Sequence, residues 1–148
     1  PMKIYLDNSC FNRPYDEQVY ETIRLEAEAK LFVQEKIYNG AIGLVWSFML
    51  DFENNANPYD NQKESIAEWK QISCENVAAE IAVLERARDV AATYRVKPKD
   101  AIHVASAIFA HCDYFLTTDR QLLKKVSSLK EIRTINPIDF IQILEGKL

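Results

Sequence analysis

The sequence predicts an α/β protein, specifically a three-layer α/β/α sandwich around a short, mainly parallel sheet. Two observations support this prediction. Short apolar segments alternate along the chain with longer segments of helical periodicity, which is typical of a parallel sheet whose two faces are covered by helices. The chain has 148 residues with only 3 Gly and 5 Pro, and no linker-like stretch divides it. We therefore expect a single domain over residues 1–148.

The first half of the chain predicts two strands separated by helical sequence. Lys3–Leu6 alternates and stops at polar loop residues, as a short strand does. The segment from Tyr15 to Tyr38 lacks Gly and Pro and predicts one helix or two. Its apolar stripe consists of Val19, Ile23, Ala27, Leu31 and Ile37. Asn39-Gly40 predicts the end of that helix, and residues 41–46 predict the second strand.

Helices dominate the middle of the chain. Ser47 is expected to cap a short helix that carries Glu53 and closes at residues 54–58. Residues 60–72 and 76–94 predict two further helices, the second with one apolar stripe made of Val77, Ile81, Leu84 and Ala91. Pro98 begins another helix, which runs to His111 and is apolar nearly all round, so we expect it to be buried.

The last third of the chain predicts two more strands. Residues 113–117 form a strand-sized apolar run that ends at Thr118-Asp119. A helix is expected to follow it, beginning with the apolar residues Leu122, Leu123 and Val126. Residues 132–135 predict the final strand, and Asn136-Pro137 is expected to cap a terminal helix that runs to Leu144.

The composition excludes several classes of protein. With 48% apolar and 27% charged residues, the chain is typical of a globular protein and not of a disordered one. The most apolar stretch, residues 104–110, is far shorter than the roughly 20 residues that cross a bilayer, so we expect no membrane partner. Pro1 before Met2 resembles a cloning remnant, and the early charge of Asp7 is unlike a secretory signal. With three widely spaced cysteines, these features predict Met2 as the native start and a cytoplasmic location.

Four carboxylates need an explanation. Asp7 and Asp119 follow predicted strands at the edge of a parallel sheet where ligands bind. Asp100 lies in the first turn of the buried helix, and Glu53 lies near the end of the helix after the second strand. If the four converge, their like charges raise one another's pKa, and a divalent cation would relieve that repulsion. Oxygen ligands without Cys or His predict Mg²⁺ or Mn²⁺ rather than zinc.

Each of these acids also has a purely structural interpretation. Asp7 could form a turn, and Asp119 could cap the helix that follows it. Asp100 could interact only with the helix dipole, and Glu53 could be a solvated helix residue. His103, one turn after Asp100, is expected to be a buried, hydrogen-bonded histidine rather than a metal ligand.

Four segments, taken together in their order and spacing, resemble the PIN domain nucleases. The segments are Lys3–Asn8, Leu50–Glu53, Asp100–Ala107 and Asp113–Asp119. The last two are the most specific, because a D-A-x-H-x-A helix followed by a strand ending in T-x-D is distinctive of that family. The resemblance implies an α/β/α sandwich, an acidic pocket that binds Mg²⁺ or Mn²⁺, and metal-dependent endoribonuclease activity on RNA.

The resemblance also implies roles for particular residues. The four acidic positions of the family are matched by Asp7, Glu53, Asp100 and Asp119, which would hold the metal, directly or through water, and position the attacking water. Asp51 is the other candidate for the second acidic position. Either Thr117 or Thr118 matches a hydroxyl position that supports the last aspartate.

A PIN domain of this length also resembles the toxin of a VapC-type toxin–antitoxin pair. That resemblance implies a small antitoxin protein that covers the pocket, and a homodimer. One alternative stays open, a non-catalytic PIN-fold module that binds RNA or another protein. A metal titration would separate it from a nuclease.

The distribution of charge bears on an RNA partner. The net charge of −4 argues against tight non-specific binding of nucleic acid, which depends on Lys and Arg. From Arg86 to Arg133, however, ten basic residues outnumber five acidic ones. We therefore hypothesise that these basic residues flank the pocket and guide the phosphate backbone, and that reversing Lys124 and Lys125 weakens RNA binding.

Overall fold

The computed structural model describes residues 1–16 and 20–146. Within them, five strands form one sheet in the order β3-β2-β1-β4-β5, and every neighbouring pair is parallel. The strands are β1 (Lys3–Leu6), β2 (Gly43–Ser47), β3 (Glu75–Val77), β4 (Tyr114–Leu116) and β5 (Arg133–Ile135). The predicted α/β fold with a parallel sheet flanked by helices is confirmed.

Seven helices and one 3₁₀ turn, Arg13–Tyr15, connect the strands within the described residues, and an eighth helix follows β5. The helices are α1 (Asn8–Asn12), α2 (Glu21–Tyr38), α3 (Phe48–Asn55), α4 (Asp60–Ile72), α5 (Ile81–Tyr94), α6 (Pro98–Phe109), α7 (Arg120–Lys125) and α8 (Pro137–Leu144). In the part of the chain that the structure describes, none of them is long and apolar enough to cross a membrane.

The core lies around β1, the central strand. Ile4, Tyr5 and Leu6 are completely buried, as expected for a strand covered on both faces. In register, Tyr5 pairs with Val45 on one side and with Phe115 on the other, and its ring stacks on that of Phe115. Because β1 is fixed from both sides, the residues that follow it are held in place as well.

The helix predicted over residues 76–94 is wrong in its first part. Glu75–Val77 is the edge strand β3, which pairs with β2, and the helix begins only at Ile81. Ile81, a member of the predicted apolar stripe, is 74% exposed, whereas Val83 and Val90 are buried. The four-residue spacing from Val77 to Ile81 is typical of a helix. Pairing with β2 nevertheless determines the structure of residues 75–77, which form a strand.

Two other boundaries differ from the sequence prediction. The helix predicted from Tyr15 begins at Glu21, and Tyr15 itself belongs to the 3₁₀ turn; Val19 lies outside the described residues. Ser47 precedes α3 as expected, but its hydroxyl makes no capping hydrogen bond and is instead 2.6 Å from the Tyr5 hydroxyl. The helix end predicted at Asn39-Gly40 is confirmed, and Gly40 there has a φ of +84°, which glycine adopts without strain.

Candidate active site

Asp7 lies at the carboxyl edge of the sheet, directly after β1. Leu6 is level with Leu116 of β4, and the backbone N–H of Asp7 donates to the Leu116 carbonyl at 3.1 Å. The ends of the two central strands therefore coincide. Because the carboxyl ends of parallel strands meet at one edge, residues after β1 and after β4 share the same region of the molecule.

The buried Asp7 carboxylate is surrounded by hydrogen-bond donors. Thr117 Oγ1 donates to Oδ2 at 2.6 Å, and the Ser9 hydroxyl and the Cys10 N–H donate to Oδ1, the latter at 3.3 Å. The Cys10 contact caps α1, so the predicted turn-forming role is real. Burial raises the pKa of Asp7 above its usual value, and the hydrogen bonds from Ser9 and Thr117 oppose that rise.

Asp100 lies in the first turn of α6 and is partly buried. Burial is the largest cause that raises the pKa of this carboxyl. The negative charges of Asp7, Asp119 and Glu53 raise it further, and His103 opposes them. The four acids are therefore near enough for the other three to disfavour the ionised form of Asp100.

Asp119 is exposed and forms the N-cap of α7. Its Oδ1 accepts the Leu122 N–H at 3.1 Å, which confirms the capping interpretation. Its own N–H donates to Thr117 Oγ1 at 3.1 Å. A carboxylate has two acceptor oxygens, so the cap leaves capacity for a further ligand.

Glu53 is held by a buried polar chain. Its Oε1 is hydrogen-bonded to Nε2 of His103, which is 2% exposed. The Nδ1 atom of His103 is 2.6 Å from the Tyr5 hydroxyl, which in turn contacts Ser47. The prediction that His103 is a buried, hydrogen-bonded histidine is confirmed.

Asp51 has different partners from Glu53. Its Oδ1 accepts the indole N–H of Trp46 at 2.9 Å, and its Oδ2 pairs with Lys70 of α4 at 3.1 Å. Of the two acids of α3, Glu53 is therefore the one that bonds to α6, the helix that carries Asp100.

The carboxylates of the candidate site offer the oxygen ligands that a hydrated divalent cation takes. No group of three or more His, Cys, Asp or Glu side chains forms a ready-made metal cage among residues 1–16 and 20–146. Mg²⁺, however, retains several waters and binds through one or two carboxylates, so it does not require such a cage. Asp7 and Asp100 supply oxygen donors, and the burial that raises their pKa is what a cation would counteract. The chemistry of these residues therefore fits Mg²⁺ or Mn²⁺.

Sequence reasoning missed three polar contributors. The Ser9 hydroxyl contacts Asp7. The Tyr5 hydroxyl contacts both His103 and Ser47. The spacing of Ser9, two residues after Asp7, is a usable signal because short hydroxyl side chains bond to nearby acceptors. Tyr5, in contrast, is indistinguishable in the sequence from any other core residue of a strand.

The hypothesis that the basic residues flank the acids does not fit all of them. Arg133 pairs in register with Tyr114 at the start of β4, and so lies toward the opposite edge of the sheet. Arg86 is engaged with Glu131. Lys99, next to Asp100, lies 5.2 Å from the centre of the exposed Phe52 ring.

Acidic side chains near the carboxyl edge of a parallel α/β sheet lie where such folds bind their ligands. The chain belongs to the PIN domain family, whose model matches residues 4–129. PIN domains are generally nucleases. No curated protein sequence matches the chain.

Solved structures share the fold. Eighteen of their chains match. One belongs to the crystal structure of VapBC2 from Rickettsia felis bound to a DNA fragment from their promoter. It aligns with a TM-score of 0.57 over 91% of this chain and 98% of that chain, at 10% sequence identity. At that identity the likeness concerns the fold alone.

Proposed function

We propose that this protein is a metal-dependent endoribonuclease that hydrolyses RNA phosphodiester bonds. The observation that carries the proposal is the set of contacts that links the acids. Thr117 bonds to both Asp7 and Asp119, and Glu53 bonds to His103 of α6, the helix whose first turn holds Asp100. Membership of a family of nucleases supports the same reaction class.

The cofactor of the proposed reaction is Mg²⁺ or Mn²⁺, held directly or through water by Asp7, Glu53, Asp100 and Asp119. When bound, such a cation supplies Lewis acidity to the phosphoryl oxygen and favours deprotonation of the attacking water. The surrounding residues have positioning roles. Thr117 contacts both Asp7 and Asp119, while His103 fixes the direction of Glu53.

The experiment compares cleavage of single-stranded RNA by the parent, Asp100→Asn and Asp119→Asn, with and without added Mn²⁺. We expect cleavage only with metal, and its loss in both variants. Asparagine caps helices as well as aspartate, so Asp119→Asn keeps the start of α7 and isolates the effect of charge. Asp51→Asn is the matched control, because it removes a carboxylate that is paired with Trp46 and Lys70. Cleavage by metal-free Asp119→Asn would overturn the proposal.

A second candidate, the non-catalytic RNA-binding or protein-interaction module, is favoured by one observation. The described residues contain no ready-made three-ligand metal cage. The two candidates differ in their response to Mn²⁺. A bound ion raises the melting temperature by mass action, whereas a protein without a metal site melts unchanged. RNA binding with neither metal binding nor cleavage would establish the module.

The biological setting of the proposal is a type II toxin–antitoxin pair in the cytoplasm. The toxin acts as a homodimer and a single domain, and a small antitoxin covers its acidic pocket. Support comes from the fold shared with a chain of a VapBC2 complex. The test is whether a short gene for a basic, DNA-binding-like protein lies immediately upstream, and whether its product, when co-expressed, inhibits RNA cleavage.

A further inference from the structure

A groove of about 490 Å³ adjoins Glu53, between α1 and the junction of α3 with α4. Its lining includes Asn8, Asn12, Asn57 and Gln62 as well as the rings of Tyr15 and Tyr59. This volume lies within the range typical of small-ligand pockets. Because Glu53 belongs to both the groove and the candidate active site, a ligand in the groove is next to the proposed reaction centre.

The amide side chains of the groove are held in fixed positions. Gln62 Nε2 donates to Asn12 Oδ1 at 2.7 Å, and Asn12 Nδ2 donates to the Asn8 carbonyl at 2.9 Å. Asn57 Oδ1 accepts the Tyr59 N–H at 3.0 Å. These hydrogen bonds reduce the entropy that the side chains lose when a ligand binds.

Asn8 provides a second observation that points to a ligand. Its Oδ1 is buried and has no hydrogen-bond partner within the described residues. A buried acceptor without a donor costs free energy, so turning this amide toward a hydrogen-bond donor on a ligand in the groove, which Asn8 lines, would relieve that cost.

The chemistry of the lining selects among ligands. None of the described residues that line the groove is Lys or Arg. Of its two acids, Asp16 is paired with Arg13 at 3.1 Å, so the charge of Glu53 is the one that disfavours a phosphate. A nucleobase is neutral and carries both donors and acceptors on its edges, which asparagine and glutamine match. Tyr59 is 67% exposed and Tyr15 is 50% exposed, so both rings are accessible for stacking.

We propose that this groove binds a base of single-stranded RNA adjacent to the scissile phosphate and sets the base preference of the enzyme. The inference rests on the proposed function. A basic peptide is the principal rival because of the two acids. An arginine or lysine side chain only donates hydrogen bonds, however, so the amide donors of the groove would depend on the peptide's backbone carbonyls, whereas one edge of a base offers donors and acceptors together.

The test measures binding of four labelled homopolymeric pentaribonucleotides by fluorescence anisotropy, in EDTA so that no metal-dependent cleavage occurs. We expect the parent to prefer one base and Tyr59→Ala to weaken binding of that oligonucleotide by about tenfold, the usual effect of losing one stacking partner. Tyr38→Ala is the matched control, because Tyr38 is 79% exposed at the end of α2 and does not line the groove. Equal affinities for all four oligonucleotides, or equal effects of the two variants, overturn the inference.

A second variant tests base recognition without removing a ring. Asn57→Asp keeps the oxygen that accepts from Tyr59 and replaces an amide donor by an acceptor. We expect the ratio of affinities between oligonucleotides to change at least threefold. Asn55→Asp adds the same charge at an exposed position of α3 and is expected to weaken all four equally. If Asn57→Asp also acts equally on all four, the groove does not read bases.

The same variants distinguish a peptide from a base as the occupant of the groove. They also test the base inference separately from the proposed nuclease function. If Asn57→Asp tightens binding of an arginine-rich peptide while the affinities for RNA stay unchanged, the groove is a peptide site and the inference fails. If the parent cleaves RNA with Mn²⁺ but the groove variants leave its base preference unchanged, the inference fails and the nuclease proposal stands. If base-dependent binding responds to the variants but cleavage is absent, the nuclease proposal alone fails.

Discussion

Thr117 Oγ1 donates a hydrogen bond to Asp7 Oδ2 at 2.6 Å and accepts one from the N–H of Asp119 at 3.1 Å. One hydroxyl thus links the acids that follow β1 and β4. Thr117→Val keeps the shape and removes both contacts, so the negative form of Asp7 loses a donor. We expect the affinity for Mn²⁺ to fall about 10- to 100-fold, the usual effect of removing a group that orients a metal ligand. Isothermal titration calorimetry measures the affinity of each protein for Mn²⁺.

Thr118→Val is the control for that experiment. Thr118 is also buried, but its hydroxyl accepts from Arg13 at 2.7 Å and makes no hydrogen bond to Asp7. Both variants should lose stability, by about 1–2 kcal/mol, because each leaves a polar partner unsatisfied. Equal affinities for Mn²⁺ in the two variants would show that the Thr117 contact has no special role at the site.

The Asp7 and Asp119 positions could be predicted because a carboxylate after an apolar strand is a local signal. The start of α8 could be predicted because Asn136 caps it and Pro137 occupies its first turn. The choice between Asp51 and Glu53 could not. Two residues apart on a helix, their side chains point about 160° away from each other, and only packing decides which face meets α6. Strand β3 could not be predicted because three residues are too few to show the alternating pattern of a strand. Only its pairing with β2 identifies it.

Asp100→Asn should stabilise the metal-free protein at neutral pH. The folded-state pKa of Asp100 is raised, so above its unfolded value the ionised carboxyl costs folding free energy. Removing that charge relieves the cost, and each 1 kcal/mol relieved raises the melting temperature of a domain of this size by about 2–4 °C. The gain should be full at pH 7 and disappear as the pH falls towards the ordinary Asp pKa of about 3.9. Thermal melts in EDTA at several pH values measure it.

The matched comparison uses Mn²⁺ in place of EDTA. A cation offsets the same repulsion in the parent, so the stability order should reverse when the metal binds the parent and not the variant. A variant that melts below the parent in EDTA at pH 7 would show that the charge of Asp100 does not destabilise the folded protein.

Tyr5→Phe should lower the free energy of unfolding by about 1–3 kcal/mol. The Tyr5 hydroxyl is completely buried between Ser47 and His103, and the variant leaves both without this partner. Burial also raises the pKa of Tyr5, so the hydroxyl stays protonated. Because His103 fixes Glu53, RNA cleavage should fall as well. Tyr114→Phe, on the neighbouring strand, is the control, and equal losses of stability in chemical denaturation would contradict the role of the buried chain.

Because of Lys30, the free energy of unfolding should increase as the pH rises above 7. Burial lowers the pKa of this lysine to about 7, and its ammonium lies 5.0 Å from the centre of the Phe11 ring. Between pH 7 and the unfolded pKa of about 10.4, Lys30 is protonated in the unfolded chain and mostly neutral in the folded protein. The free energy of unfolding therefore rises with pH. Lys30→Met removes this dependence and is more stable at pH 7 and below. Urea denaturation at pH 6.5, 8 and 9.5 measures it.

Lys36→Met is the control for Lys30. Lys36 lies on the same helix and also contacts a ring, that of Phe32 at 5.2 Å, but it is only partly buried. Its replacement should leave the pH dependence of the parent intact. A parent whose stability does not rise relative to Lys30→Met from pH 7 to 9.5 would show that Lys30 stays charged in the folded state.

Lys124 and Lys125 should contribute to the salt dependence of RNA binding. Both are exposed in the last turn of α7, the helix that begins at Asp119. If each contacts one phosphate of single-stranded RNA, reversing both to Glu flattens the slope of log K against log salt by about 1.4, since each contact contributes roughly 0.7. The control reverses Lys130 and Arg133, which gives the same net charge near the start of β5. Equal changes of slope in the two double variants would mean that overall charge, and not the position of α7, governs the approach of RNA.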